Sequence, residues 1–297
     1  MESPAPMALD FDAIRAAVER RMGEVIDACV SPANLRDAVR YAALSGGKRL
    51  RPALAWACCE AVGAEGARSV TAGASVEFVH AFSLVHDDLP ALDNDDLRRG
   101  RATLHIHAGE AMAILAGDSL LTLAFQAMRR EPEPDAAVTL RLIDELAPAT
   151  QAMIAGQVLD TLGGFEPTDG DAAGRVEAVH RQKTGALIRA ACRMGAIAGG
   201  CDETQLGHVT GYAEAMGLMF QIVDDLIDAT GETEHVGKRT GKDEAAGKLT
   251  FPGVHGIEGA RAEAERALAD ALSAAEALGP NAAALTDLAR SMAYRTS

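Results

Sequence analysis

Aromatic side chains are scarce: one Trp, three Tyr and seven Phe make up 4% of the 297 residues. Hydrophobic residues reach 48%, with Ala, Leu and Met abundant. That balance favours helices over sheet. Cysteine is sparse as well. Cys29, Cys58, Cys59, Cys192 and Cys201 are odd in number and show no CxxC spacing, which indicates reduced thiols in a cytosol. Basic residues are outnumbered, 28 Lys and Arg against 43 Asp and Glu, for a net charge of −15. Nucleic acid is therefore not an expected partner, and any anionic ligand needs cations gathered locally. The start, MESPAPMALD, has neither a basic region nor an apolar core, so it does not read as a secretory signal. No uninterrupted apolar run reaches membrane-spanning length. The expected compartment is the cytoplasm. Its length allows one large domain, burying roughly three quarters of its unfolded surface, and no repeat or linker divides it.

What is present centres on residues 80–101, HAFSLVHDDLPALDNDDLRRGR. Asp87, Asp88, Asp93, Asp95 and Asp96 crowd into a short span and repel one another unless a cation sits between them. A second cluster, Asp224, Asp225 and Asp228, lies far downstream in MFQIVDDLID. Each cluster ends an apolar helical stretch. Hard oxygen ligands with Lys and Arg nearby, and no Cys or His pattern, suggest Mg²⁺ holding a phosphate-bearing substrate. Asp224 and Asp228 are one helical turn apart, roughly 40° around, and can share an ion. Asp87 and Asp93 would be roughly 240° apart on an unbroken helix. Pro90 resolves this by ending the helix near Leu89, so that the loop returns Asp93 over Asp87. Ser83 and His80 lie one and two turns below Asp87 on nearly the same face.

These segments resemble the two aspartate-rich motifs of the trans-isoprenyl diphosphate synthases, the polyprenyl synthetase family. HDDLPALDNDDLRRG is similar to the first motif and FQIVDDLID to the second. The DDxxxxD spacing is that of the bacterial farnesyl diphosphate synthases. The similarity covers about residues 40–252, with several motifs in the expected order. SGGKRLRP at 45–52 is, by its residues, a glycine-hinged basic loop able to cradle an anion. It matches the family's GGKRxRP, which implies that Lys48 and Arg51, with His80, bind the diphosphate of isopentenyl diphosphate. Without that match His80 would read as an ordinary core histidine. Arg49 is left to face acidic neighbours. Arg98 and Arg99 cannot both face one ligand along the same direction. The resemblance gives the first to the allylic diphosphate and the second to the homoallylic one, roles that suit a bidentate guanidinium.

Further along, the family's KT motif sends Lys183 to the allylic diphosphate and turns the Thr184 oxygen toward the reacting carbons, with Gln221 assisting. Lys238 matches a lysine that reaches the leaving diphosphate, and Lys248 its partner near the entrance. Gln157 and Asp160 match GQxxD and are expected to line the cavity. Arg101 receives no role. His105 and His107 read as ordinary surface or loop residues.

Helices are expected at about 10–29, from Ser31 as N-cap to about Leu44, at 52–62, 68–88, 109–130, 135–146, 149–162, 183–200 and 203–229, with two more in 254–297. Residues 1–8 read as a loose tail, and 163–174 and 230–252 as loops. The resemblance implies an all-α, single-domain isoprenoid synthase bundle around a deep central cavity. It also implies a homodimer, and three Mg²⁺ ions per site, with Mn²⁺ as a substitute, bound by Asp87, Asp88, Asp93, Asp224, Asp225 and Asp228. The implied reaction condenses isopentenyl diphosphate head-to-tail with dimethylallyl or geranyl diphosphate. Phe82, five positions before Asp87 and followed by Ser83, would form the cavity floor typical of fifteen-carbon products. Geranyl and geranylgeranyl diphosphate stay open as products. A terpene cyclase and a non-catalytic prenyl synthase subunit are the rivals. Asp228 breaks the residue type of a cyclase's second motif, and retention of both aspartate clusters speaks against the subunit.

Overall fold

A computed structural model describes residues 9–131, 135–166, 170–230 and 249–295. Twelve α-helices carry these residues: α1 Phe11–Cys29, α2 Ala33–Ala43, α3 Leu50–Ala61, α4 Val70–Asp87, α5 Leu104–Ala108, α6 Glu110–Arg129, α7 Ala136–Leu162, α8 Ala172–His180, α9 Ala186–Gly199, α10 Glu203–Thr230, α11 Phe251–Ala277 and α12 Ala283–Ala293. Among the described residues the only strands are β1 Leu97–Arg98 and β2 Arg101–Ala102, a two-residue antiparallel hairpin.

α4 is the axis of the bundle. It is buried nearly all round, from Thr71 to Val79 and again at Ala81, Phe82 and Val85, as a helix enclosed on every side must be. α1, α3, α6 and α9 pack against it. Small residues set the spacing of the outer pairs. A side chain on Gly195 of α9 would meet the Ala55 carbonyl oxygen of α3 at 2.0 Å, so these helices touch backbone to backbone. α10 and α11 form the other tightly packed pair. One continuous apolar core joins α1 to α12.

Several elements depart from the sequence expectations. Pro148 does not divide α7; the helix runs through it, held by the buried stripe Leu142, Leu146, Ala149 and Met153. One missing N–H among so many helical bonds does not outweigh that burial. Ser31 does not cap α2, whose N-cap is Pro32 with no side-chain hydrogen bond. α8 lies within a stretch left partly to loop, and continues into α9 through a π-helical turn, Arg181–Gly185. His105 is buried, with Nδ1 3.1 Å from the Thr103 hydroxyl, and His107 stacks on Tyr41 at 3.9 Å. His105 is thus not a surface residue, whereas His107 is exposed as expected. α6 is long and apolar enough by length and composition to cross a membrane, which uninterrupted runs did not disclose. In the bundle it packs against α4 and buries Ala113, Ala116, Leu120 and Ala124.

Candidate active site

The end of α4 turns as Pro90 dictates. The Leu89 N–H bonds back to the His86 carbonyl at 3.1 Å, and the Asp93 N–H reaches the Asp87 carbonyl at 2.8 Å. Asn94, with φ of 51°, completes the return. Asp93 thus sits beside Asp87. Burial, aided by the charges of Asp93 and Asp88 and opposed by Lys183 and Arg98, pushes the Asp87 carboxyl up to about 6. Such a group is stabilised by whatever cation comes to it.

Asp88 is elsewhere. One residue on, it points about 100° away and is buried beneath the hairpin. Its Oδ1 accepts from Arg98 Nε and Nη2 at 2.9 and 2.6 Å, and its Oδ2 from Nε at 3.0 Å. Asp88, expected as a metal ligand, here holds the Arg98 fork. Arg98 in turn braces the loop rather than standing open toward a phosphate.

The basic loop builds a second, oppositely charged patch. Gly46 and Gly47 have φ of 84° and 133°, and a side chain on Gly47 would lie 2.5 Å from the Arg99 guanidinium. Arg99 donates to the Gly46 carbonyl, so Arg98 and Arg99 do diverge. Burial and the charge of Arg99 lower the Arg51 pKa, and Arg51 Nε is buried without a hydrogen-bond partner. His80 is held well below the ordinary imidazole range by burial and by Arg51, Arg99 and Arg98. Cations that depress one another, with an orphaned donor among them, form a cradle for an anion. Lys48 stands exposed at its rim. Arg49 turns inward, donating to Glu77 at 2.6 Å and Glu19 at 2.8 Å. Its acidic neighbours are structural, and removing one partner of so buried a pair costs about 3–5 kcal/mol.

The facing wall comes from the π turn and α10. Gly156 of α7 admits the turn, since a side chain there would meet the Lys183 nitrogen at 2.3 Å. Lys183 Nζ pairs with Asp160 Oδ2 at 2.6 Å. Asp160 was expected only as a lining residue. The Thr184 hydroxyl donates to Gln221 Oε1 at 2.9 Å, which ties the turn to α10. Asp224 is exposed and Asp228 half-buried, one turn apart. Arg295 Nη2 donates to Asp224 Oδ1 at 3.1 Å, while its guanidinium lies 4.0 Å over the Phe220 ring. Sequence reasoning missed Arg295, because no local pattern ties a C-terminal arginine to a carboxylate on α10.

Asp225, expected as a ligand with Asp224 and Asp228, lies apart from them. It is 4% exposed. Oδ1 accepts from Gln221 Nε2 at 2.9 Å and Oδ2 from the Phe251 N–H at 3.0 Å. It faces the interior between α10 and α11, away from the face that Asp224 and Asp228 share. His180 Nε2 lies 3.4 Å from Oδ2, and burial draws its pKa down to about 4. Lys238 and Lys248 lie outside the described residues.

A cavity of about 360 Å³ lies between the end of α4, α7 and the π turn. Arg51, His80, Asp87, Lys183 and Thr184 line its polar part. Phe82, Ser83, Met153, Ile154 and Val158 line its apolar part, and Gln157 borders it. The Phe82 ring meets His86 edge-on at 4.9 Å. His86 Nε2 lies 3.2 Å from the Ile114 carbonyl oxygen, a fit that only Gly117 leaves room for.

The donor set suits divalent ions. Asp87 is held partly out of water beside the exposed Asp93, and Asp224 holds a guanidinium where a metal charge would serve. Among the described residues no three His, Cys, Asp or Glu converge on one point.

An all-helical bundle with a part-apolar cavity lined by Arg51, His80, Asp87 and Lys183 defines an isoprenoid-synthase-type fold. The polyprenyl synthetase family model matches residues 32–286, and the chain belongs to that family. It is 42% identical over 266 residues to geranylgeranyl pyrophosphate synthase 9 of Arabidopsis thaliana, covering 87% of this chain and 74% of that one. Geranylgeranyl pyrophosphate synthase 11 of the same plant is 46% identical over 240 residues, 79% of this chain and 67% of that one. Among solved structures, an FPP/GFPP synthase from Zymomonas mobilis superposes with a TM-score of 0.82 at 34% identity, covering 96% of this chain and all of that one, 100%. Geranylgeranyl pyrophosphate synthetase from Pyrococcus horikoshii gives 0.84 at 28% identity, over 96% of this chain and 98% of that one. The chain is a trans-prenyl diphosphate synthase, and prenyl transfer is its chemistry.

The raised Asp87 pKa has a consequence for stability. An unfolded Asp titrates near 3.9, so the buried carboxyl favours the fold when protonated and opposes it once pH rises through about 6. Without divalent ions, Asp87→Asn should melt above the wild type at pH 7.5, and the gap should shrink at pH 5. Equal gaps in scanning calorimetry at the two pH values would contradict this.

Proposed function

We propose that the enzyme condenses isopentenyl diphosphate with dimethylallyl and then geranyl diphosphate, giving mainly farnesyl diphosphate and pyrophosphate. The observation that carries this reading is Phe82, buried at the apolar end of the cavity within the α4 stretch that leads to Asp87. Its ring limits how far a growing chain extends.

In this reading Lys48, Arg51, His80 and Arg99 hold the diphosphate of isopentenyl diphosphate. Lys183 faces the allylic diphosphate, joined by Lys238 and Lys248 as the resemblance implies. Asp87, Asp93, Asp224 and Asp228 would hold Mg²⁺, which neutralises the departing pyrophosphate. The allylic C1–O bond breaks and its electron pair leaves with pyrophosphate. The double bond of isopentenyl diphosphate adds to C1, and the C2 proton of that unit passes to pyrophosphate. Thr184 and Gln221 oxygens face the positive carbon. The apolar wall excludes the water that would quench it. No side-chain nucleophile takes part.

A geranylgeranyl product is the second reading, favoured by the names of the Arabidopsis relatives. A homodimer, implied by the resemblance, fits the outward apolar pair Ile114 and Leu115 on α6; sedimentation as a monomer would remove it.

Chromatography of products from labelled isopentenyl diphosphate with Mg²⁺ and each allylic starter decides the chain length. Fifteen carbons should dominate, and Phe82→Ala should yield twenty or more. A wild type that runs to twenty carbons, or a Phe82→Ala variant that still stops at fifteen, would take Phe82 out of that role.

A further inference from the structure

Asp225, buried and turned from the other carboxylates of its cluster, begins a chain of hydrogen bonds that ends in the cavity. We propose that Asp225 is a positioning residue: acting through Gln221, it sets the direction of the Thr184 hydroxyl, so that oxygen lone pairs rather than a proton face the carbon that becomes positive. This rests on the prenyl-transfer reading above and extends it to a residue that does not touch substrate.

The direction follows from what each group can do. A carboxylate only accepts hydrogen bonds. Asp225 Oδ1 lies 2.9 Å from the Gln221 amide, so the Gln221 nitrogen must face it and Gln221 Oε1 must face the other way. Oε1 is 2.9 Å from Thr184 Oγ1. An amide oxygen donates nothing, so the Thr184 proton is committed to Gln221. A hydroxyl has one proton and two lone pairs, and both lone pairs are then left for the cavity that Thr184 lines.

The far side of Asp225 is equally constrained. Oδ2 takes the Phe251 N–H at 3.0 Å, which fixes the start of α11. His180 Nε2 stands 3.4 Å from Oδ2, with its ring stacked on Phe251 at 5.2 Å. Its other nitrogen, Nδ1, is buried without a partner. A neutral imidazole carries one N–H. Placing it on Nε2 supplies Asp225 with another donor and leaves only a lone pair on Nδ1. His180 therefore supports Asp225 as Asp225 supports Gln221.

Asp225→Asn tests the direction. The Phe251 N–H keeps the Asn oxygen on its side, so the Asn NH₂ is presented to Gln221. Gln221 must then turn over, offering its own NH₂ to Thr184 and releasing the Thr184 proton toward the cavity. The expected result is a fall in kcat of about 10- to 100-fold. The KM for isopentenyl diphosphate, the Mg²⁺ half-saturation and the calorimetric affinity for Mg²⁺ with inorganic pyrophosphate should stay within about twofold of wild type. Asp224→Asn, by contrast, should weaken Mg²⁺ and pyrophosphate binding.

A weakened Mg²⁺ affinity in Asp225→Asn, with activity restored by excess metal, would overturn the proposal and make Asp225 a ligand. So would unchanged kcat. To separate position from folding, Asp225→Asn is combined with Thr184→Val. If Asp225 acts through Thr184, the two losses are strongly non-additive; if they simply multiply, the relay is wrong. A wild type with no prenyl transfer at all would instead defeat the functional reading, and is seen before any variant is made.

Discussion

A carboxylate drawn partly out of water, close to a patch of positive charge that burial also leaves unsettled, is the constraint on which this molecule turns. Asp87 shows it most directly, with its acidity weakened by burial and by its own neighbours. Arg51, Arg99 and His80 show the complementary imbalance, each depressed by burial and by nearby positive charge. Neither patch is settled by the protein alone. In the reading proposed above, a diphosphate with its divalent ions would settle both, bringing anionic oxygens to one and cations to the other, although the chain carries a net charge of −15.

The fold serves that imbalance by being rigid around it. α4 is enclosed by other helices and cannot shift without repacking the core. Glycines at 156 and 217 bring the backbones of α7 and α10 against the π turn. The π turn at Arg181–Gly185 aims Lys183 and Thr184 at the cavity. Each cluster also holds one carboxylate that is buried and hydrogen-bonded. Asp88 is locked to Arg98, and Asp225 to Gln221 and Phe251. In each cluster one carboxylate fixes the scaffold and the others face the cavity or solvent.

Much of this was legible in the residues. Pro90 foretold the return of Asp93 over Asp87, because proline's effect on the chain is local. The helical period placed Asp224 and Asp228 on one face, and the same period, applied one residue further, would have turned Asp88 and Asp225 away. The motif obscured that, since adjacent aspartates look equivalent in a string. Pro148 misled in the opposite sense, for its local cost was outweighed by burial along α7. Arg295 on Asp224, His180 beside Asp225 and Asp160 beneath Lys183 had no adequate local signature. Their partners are brought by tertiary packing from distant parts of the chain.

The central claim is that ions and diphosphate are gripped by Asp87 and Asp93 on one side and Asp224 and Asp228 on the other. The most direct measurement is a crystal structure with Mn²⁺ and pyrophosphate, using anomalous scattering to locate the metal. The account predicts manganese on those four carboxylates, bridged by one pyrophosphate, with Asp88 still on Arg98 and Asp225 still on Gln221. Manganese on Asp88 or Asp225, or pyrophosphate bound away from the cavity, would contradict it.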